Sequence, residues 1–280
     1  QAESLGFDSL WTTDHISFVK PILEGIVALS AFAGCTERIL LGTGIYLLPL
    51  RHPSAVAKQV ASLDHLSEGR VIFGIGVGGD GEKDFEAVQV PVAERGARTN
   101  EAILALRALW RDKPASFAGK HYAFEDVTIA PAPVQSGGPP IVIGGRSEAA
   151  LRRAGTLADG WLAYMVSPER FGKDFSKVRE HAHAAGRSSS DLWAGIVLPT
   201  YVHEDDEFAA RVVRDHLTRR YGRPFDDHHV ERYALAGSPA RVRARLDEYA
   251  AAGVGHIVFN SAGPGDTDLE ELAILKAGVV

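Results

Sequence analysis

The chain has 280 residues, 45% of them hydrophobic and 24% charged, which excludes a disordered or collagenous protein. Lys and Arg number 30 against 36 Asp and Glu, and the resulting charge of −6 offers no electrostatic footprint for nucleic acid. A single cysteine, Cys35, excludes an intrachain disulfide and a cysteine-rich zinc module and suits a reducing compartment, so the cytoplasm is expected.

The chain opens Gln1-Ala2-Glu3-Ser4, without an initiator Met or a signal peptide, and Gln1 to Leu5 reads as the tail of a helix ending at Gly6. A first short strand is expected over Asp8 to Trp11. Stronger ones follow at Ile39 to Ile45, Val71 to Gly76, Ile141 to Ile143, Leu162 to Met165, Ala194 to Thr200 and His256 to Asn260. Apolar residues at helical spacing lie between them, over Ile22 to Ala33, Ser54 to Leu66, Ala102 to Trp110, Glu148 to Leu157, Pro168 to Ala185, Glu207 to Arg220 and Pro239 to Ala252. Ser54, Ser147 and Ser238, the last followed by Pro239, read as helix starts. The longest apolar stretch, Ile39 to Leu50, is interrupted by Gly42, Gly44 and Pro49 and is too short to span a bilayer, so no membrane association is expected.

Seven strands and seven helices in near-regular alternation predict an α/β protein, a (β/α)8 TIM barrel with insertions whose first strand lies upstream of Gln1. Periodicity alone leaves a doubly wound open sheet as the alternative, and length favours the barrel. Two segments exceed the repeat. Lys113 to Pro133 alternates Phe117, Tyr122, Phe124, Val127 and Ile129 around Gly119, the pattern of a small inserted hairpin. Pro199 to Leu235 holds a helix and then a polar loop with His228 and His229. No linker interrupts the chain, so residues 1–280 are read as one domain.

Strand ends carry the chemistry in such a fold. Trp11 leads into Thr12-Thr13-Asp14-His15, where His15 can act as a hydrogen-bond donor or general acid and Asp14 can orient it; a loop-capping pair is the plain alternative. The second strand runs into Gly42-Thr43-Gly44-Ile45, and then Arg51-His52, which suit a ligand contact or a solvated turn equally. The third ends in Gly74-Ile75-Gly76-Val77-Gly78-Gly79-Asp80-Gly81. Its G-x-G-x-x-G lacks the amphipathic helix of a dinucleotide fingerprint and leaves a wall free of side chains for a planar cofactor. The fourth ends in Gly144-Gly145-Arg146-Ser147, a glycine pair before a helix, which is an anion-binding pattern or a simple capped turn.

Signatures of P-loop hydrolysis, zincin proteolysis and the serine-hydrolase elbow are missing. His181 and His183 stand two apart on one helix and point to different faces, so no metal site is predicted.

Taken in order, several motifs resemble the luciferase-like monooxygenase family of flavin- and deazaflavin-dependent (β/α)8 oxidoreductases. They are Gly6-Phe7-Asp8-Ser9-Leu10-Trp11 with Asp14-His15, Leu41-Gly42-Thr43-Gly44-Ile45, Leu48-Pro49-Leu50-Arg51-His52-Pro53, Gly74-Ile75-Gly76-Val77-Gly78, Arg95-Gly96-Ala97-Arg98, Gly144-Gly145 and Asp159-Gly160-Trp161. The chain is most similar to the subgroup using coenzyme F420. That resemblance implies a non-prolyl cis peptide at Gly44-Ile45 behind the deazaflavin ring and a ring-lining His15. It further implies a glycine wall of Gly76, Gly78 and Gly79, and a phosphate grip of Gly144, Gly145, Arg146 and Ser147. Hydride transfer between F420 and a small organic substrate is the implied activity, by a homodimeric enzyme. The alternatives are an FMN-dependent monooxygenase of the same fold, a non-catalytic flavin-binding barrel, and a barrel isomerase or hydrolase sharing only the phosphate site. Related deazaflavin enzymes hold a glutamate near the position of Gly79, which supplies no acid here, and many carry a Trp after these glycines.

Overall fold

The structure is a computed structural model that describes residues 1–79, 81–263 and 268–276. It divides into two compact units, one of residues 9–144 with 153–159, the other of residues 1–8 and 145–152 with 160 onward.

The unit beginning at Ser9 is built on four parallel strands in the order β1 (Ser9–Thr12), β2 (Leu40–Thr43), β4 (Val71–Gly76) and β7 (Ile141–Gly144). A two-residue strand, β3 (Tyr46–Leu47), adds to β4 beyond the end of β2. All residues of β4 and β7 are buried, which explains why both read as unbroken apolar runs rather than alternating ones. Three helices carry long buried faces: α1 (Gly25–Ala33), α2 (Pro53–Leu66) and α4 (Arg95–Arg111); α3 (Glu82–Ala87) is a short polar helix. On α4, Ala102, Ile103, Ala105, Leu106 and Leu109 repeat at three and four residues and are fully buried. Each large side chain among them contributes roughly 1.5–3 kcal/mol relative to exposure. The expected hairpin is present as β5 (Ala115–Ala118) antiparallel to β6 (Ala123–Val127). Glu101 of α4 anchors it by accepting the His121 and Tyr122 amides, each at 2.7 Å.

In the other unit, β9 (Trp193–Val202) is the hub. The strands β8 (Gly160–Tyr164), β10 (Leu235–Gly237) and β11 (His256–Ser261) all run parallel to it. Its helices are α6 (Pro168–Ala184), α7 (Asp206–Tyr221), α8 (Asp227–Tyr233), α9 (Pro239–Ala251) and α10 (Asp268–Lys276); α5 (Glu148–Leu157) begins in this unit. Trp161, Phe171 and Tyr249 are its largest fully buried side chains. Gly222 closes α7 with φ +64, a left-handed turn that favours glycine, and its amide returns to Thr218 O.

Residues 1–6 form hydrogen-bonded turns rather than a helix, with Leu5 N bonded to Gln1 O. Two of the three expected helix starts are present, Ser147 before α5 and Ser238 before Pro239 of α9, while α2 starts one residue ahead of Ser54. Pro53 opens α2 and the His52 ring accepts the Ser54 amide, while Ser238 makes no side-chain cap. His228 and His229 lie in α8 rather than a loop, where Asp226 caps the helix by accepting the His229 amide. Among the described residues no helix is long and apolar enough to cross a membrane.

Candidate active site

In the unit beginning at Ser9, parallel pairing carries four strand ends to one side. Thr12 of β1 registers with Thr43 of β2, and the Gly44 amide donates to Thr12 O at 2.7 Å. The loop holding Asp14 and His15 therefore leaves the sheet beside Gly44-Ile45, whose peptide bond is cis. Ile75 registers with Ile143, so the next residues along β4 and β7, Gly76 and Gly144, stand together.

Ile45 explains two of these glycines. A methyl group on Gly76 would fall 1.9 Å from Ile45 Cδ1, and one on Gly144 would fall 2.7 Å from the same atom. Both are small because the Ile45 side chain lies across them, so they act as its seat and present no bare wall at their own Cβ positions. Gly78, at φ +72, has its Cβ direction closed by the Phe85 ring at 3.0 Å. Gly79 is exposed, and nothing lies within 4 Å of the position a Cβ would take. Of the three glycines read as a ring wall, Gly79 alone leaves space where a side chain would be.

His15 is paired with a carboxylate, and it is Asp84 rather than Asp14. His15 Nδ1 lies 2.7 Å from Asp84 Oδ2, while the Ile16 and Ser17 amides donate to Asp84 Oδ1 at 2.7 and 2.8 Å. The ring also stacks on Phe18, with centroids 4.2 Å apart and planes 12° from parallel. Burial pushes the Asp84 carboxyl up, but the Ser17 amide, the His15 ring and the Ile16 amide outweigh it and hold the group below the ordinary carboxylate range. Nothing local in the sequence marks Asp84, because it sits in a polar stretch 69 residues away from His15.

Asp14 serves a different partner. It is buried and accepts the Leu47 amide at 2.9 Å, and it grips Arg51 through both carboxylate oxygens, at 2.5 and 2.9 Å. The Arg51 guanidinium lies 4.4 Å from the Tyr46 ring centroid and 3.8 Å from Glu24. Burial lowers the Arg51 pKa, and the hydrogen bond and charge of Asp14 more than reverse this, keeping the guanidinium firmly charged. Burial pushes the Tyr46 hydroxyl well above its ordinary value, against the opposing pull of Arg51. Asp14 thus ties the segment after β1 to the segment after β2, and Arg51 is a partner in that tie rather than part of a solvated turn.

The chain at large matches a known profile: that of the luciferase-like monooxygenases aligns with residues 1–256. The chain belongs to the luciferase-like monooxygenase family. An uncharacterised family relative from Mycobacterium tuberculosis (strain ATCC 25618 / H37Rv) is 36% identical over 67% of this chain and 71% of its own length. An F420-dependent glucose-6-phosphate dehydrogenase of Kineococcus radiotolerans is 28% identical, with 100% of this chain and 90% of that protein covered. Among solved structures, an F420-dependent secondary alcohol dehydrogenase in complex with an F420-acetone adduct shares the fold. Its TM-score is 0.86 at 19% identity, over 98% of this chain and 91% of that one. The family scaffold is that of flavin and deazaflavin oxidoreductases.

The remaining predicted residues of this family member lie in the second unit. Gly145, Arg146 and Ser147 are exposed and form the turn into α5. Gly145 has φ +109, a conformation that suits glycine, and its carbonyl accepts the Trp161 indole N–H at 2.7 Å. Arg146 Nη1 donates to Met165 O at 3.0 Å. Ser147 caps α5, its carbonyl and hydroxyl both accepting from Ala150 N. Glu148, the first residue of that helix, is held by Lys177 at 2.8 Å and His181 at 2.9 Å, which keep its carboxyl below the ordinary range.

Proposed function

We propose that the protein is an F420-dependent oxidoreductase, a single luciferase-like (β/α)8 barrel domain over residues 1–280, which moves a hydride between the deazaflavin ring and a small organic substrate in the cytoplasm. The observation that carries this reading is the shared strand end: the Gly44 amide bonded to Thr12 O makes the segment that carries Asp14 and His15 leave the sheet at the Gly44-Ile45 step. Full-length similarity to an F420-dependent relative supports the deazaflavin over FMN.

The residues present fit such a cofactor. The exposed Gly79 leaves space for a flat group, and Ile45, seated on Gly76 and Gly144, gives it a firm apolar backing. At Gly78 the absence of a side chain lets the Phe85 ring pack against the backbone. Taken by itself, the exposed turn Gly145-Arg146-Ser147 of the other unit, at the start of a ten-residue helix, offers backbone amides and a guanidinium suited to a phosphate. When bound, the deazaflavin supplies the hydride chemistry. His15 then holds or moves the proton that accompanies the hydride, and Asp14 fixes the loop on which His15 stands. With no acid at Gly79, sugar phosphates are not the proposed substrates.

Titration with F420 and with FMN, followed by absorbance, tests the reading. F420 is expected to bind the more tightly, and Gly145→Val is expected to weaken it in a protein that still folds. Tighter binding of FMN would replace this proposal with the monooxygenase. Bound F420 that no panel of substrates reduces or reoxidises would leave a binding protein.

A further inference from the structure

We infer that Asp84 is a positioning residue that fixes His15 as the tautomer protonated on Nδ1, so that Nε2 is presented as a proton acceptor. The inference rests on the reading of His15 as the proton-handling group. It concerns a residue that no strand-end pattern marks.

An ionised carboxylate has only acceptor oxygens, so the 2.7 Å contact between Asp84 Oδ2 and His15 Nδ1 requires a hydrogen on Nδ1. The neutral ring then carries no hydrogen on Nε2. Free imidazole side chains in water favour the opposite tautomer, so the carboxylate makes a choice that the histidine would not make alone. The other contacts prevent escape from that arrangement. Asp84 Oδ1 is already taken by the Ile16 and Ser17 amides, which fixes the plane of the carboxylate and leaves Oδ2 for the ring. Asp84 is 1% exposed, so water does not compete. Phe18, stacked on the imidazole face, limits rotation of the ring about its own bond. Gly81 makes room: a methyl group there would stand 2.9 Å from Asp84 Oδ2.

Asp84→Asn inverts the arrangement without removing it. The two backbone amides still require a carbonyl oxygen, so the new NH2 group must face His15, and Nδ1 must become an acceptor with the hydrogen on Nε2. Nitrogen-15 NMR of cofactor-free protein labelled at histidine reads the tautomer directly, the His15 signals being assigned by their loss in His15→Gln. The expected result is the Nδ1-protonated neutral form in the wild type and the Nε2-protonated form in Asp84→Asn. In that variant kcat should fall on the order of 10²-fold or more, with KM and F420 affinity changed by less than about threefold. A wild-type neutral ring protonated on Nε2, an unchanged tautomer in Asp84→Asn, or an inverted tautomer with normal kcat would each overturn the inference. The tautomer is measured without cofactor, so a protein that never turns over F420 would defeat the proposed function while leaving the Asp84 assignment to stand or fall on the spectra.

Discussion

Glycine is needed at 74 and optional at 79, and the contrast separates packing from function. A methyl group on Gly74 would meet the Thr43 carbonyl oxygen at 1.9 Å, a backbone atom that cannot step aside, whereas on Gly79 it would meet nothing. Gly74→Ala should therefore destabilise the fold by at least the ~1–3 kcal/mol typical of overpacking, and Gly79→Ala by far less. Chemical denaturation of both variants checks this, and equal stability losses would contradict the assignment. Because Gly79 faces space, bulk there is expected to show in cofactor affinity instead, and Gly79→Val should weaken F420 binding several-fold. His15→Ala should lower turnover by roughly 10²-fold or more while F420 affinity stays near normal. A loop-capping histidine would instead lower thermal stability and leave turnover per folded molecule intact. The placement of His15 and the glycines at strand ends was legible from the order of strands, but not what the glycines pack against: Gly76 and Gly144 seat Ile45, and Gly78 meets Phe85. Single-residue roles were not legible where they depended on a partner far along the chain. Asp14 adjoins His15 in sequence yet bonds Arg51, and the carboxylate that reaches the ring belongs to Asp84.

Two loop clamps hold the site side of β1 in place, one made by Asp14 and one by Asp84. Arg51→Met removes the first clamp's cation and leaves a buried Asp14 carboxylate with only the Leu47 amide. Breaking such a pair from one side costs about 3–5 kcal/mol, and urea unfolding should show a loss toward the lower end, since Arg51 keeps 19% of its side chain exposed. The second clamp is pH dependent. Folding lowers the Asp84 pKa, so its contribution is complete above the unfolded carboxylate value near ~4 and is lost as pH falls through the lower folded value. The protection factors of the Ile16 and Ser17 amides should accordingly fall on acidification before those of the β4 strand amides do; protection factors at Ile16 and Ser17 that fall only together with those of β4 would contradict this. At this scale the sequence was informative about long elements, because burial imposes a period over many residues. Predicted strands and observed strands differ by one to two residues at most ends. The elements missed include α10, beyond the last predicted element, and also short ones without a period: β3 with two residues, β10 with three, and α3 and α8, whose polar composition resembles a loop. The N-terminal part of α4, from Arg95, was missed for the same reason, since its first turn has no apolar face.

At the level of the whole molecule, the parallel βα order and the family were both readable from the succession of motifs, because each motif alone is common and their order is not. The choice of cofactor is a different kind of property, decided by differences of a few kcal/mol at the site, and it makes the most direct whole-protein prediction. A ligand that binds only the folded chain stabilises it by RT ln(1 + [L]/Kd), about 2.7 kcal/mol at a concentration 100 times Kd. For a chain of this size that corresponds to a rise in melting temperature on the order of 5 °C. F420 at saturating concentration should produce such a rise, increasing with the logarithm of its concentration, while FMN at the same concentration should produce a smaller one. The shift should shrink in Gly145→Val, whose added side chain crowds Ala150 Cβ, 3.2 Å from its own Cβ position, and obstructs the turn proposed to take the phosphate. Gly145 has φ +109, so this substitution also strains the backbone, and the variant's cofactor-free melting temperature supplies the baseline from which its shift is measured. An undiminished F420 shift above that lowered baseline would remove the turn from the cofactor site, and an FMN shift exceeding that of F420 would reassign the cofactor.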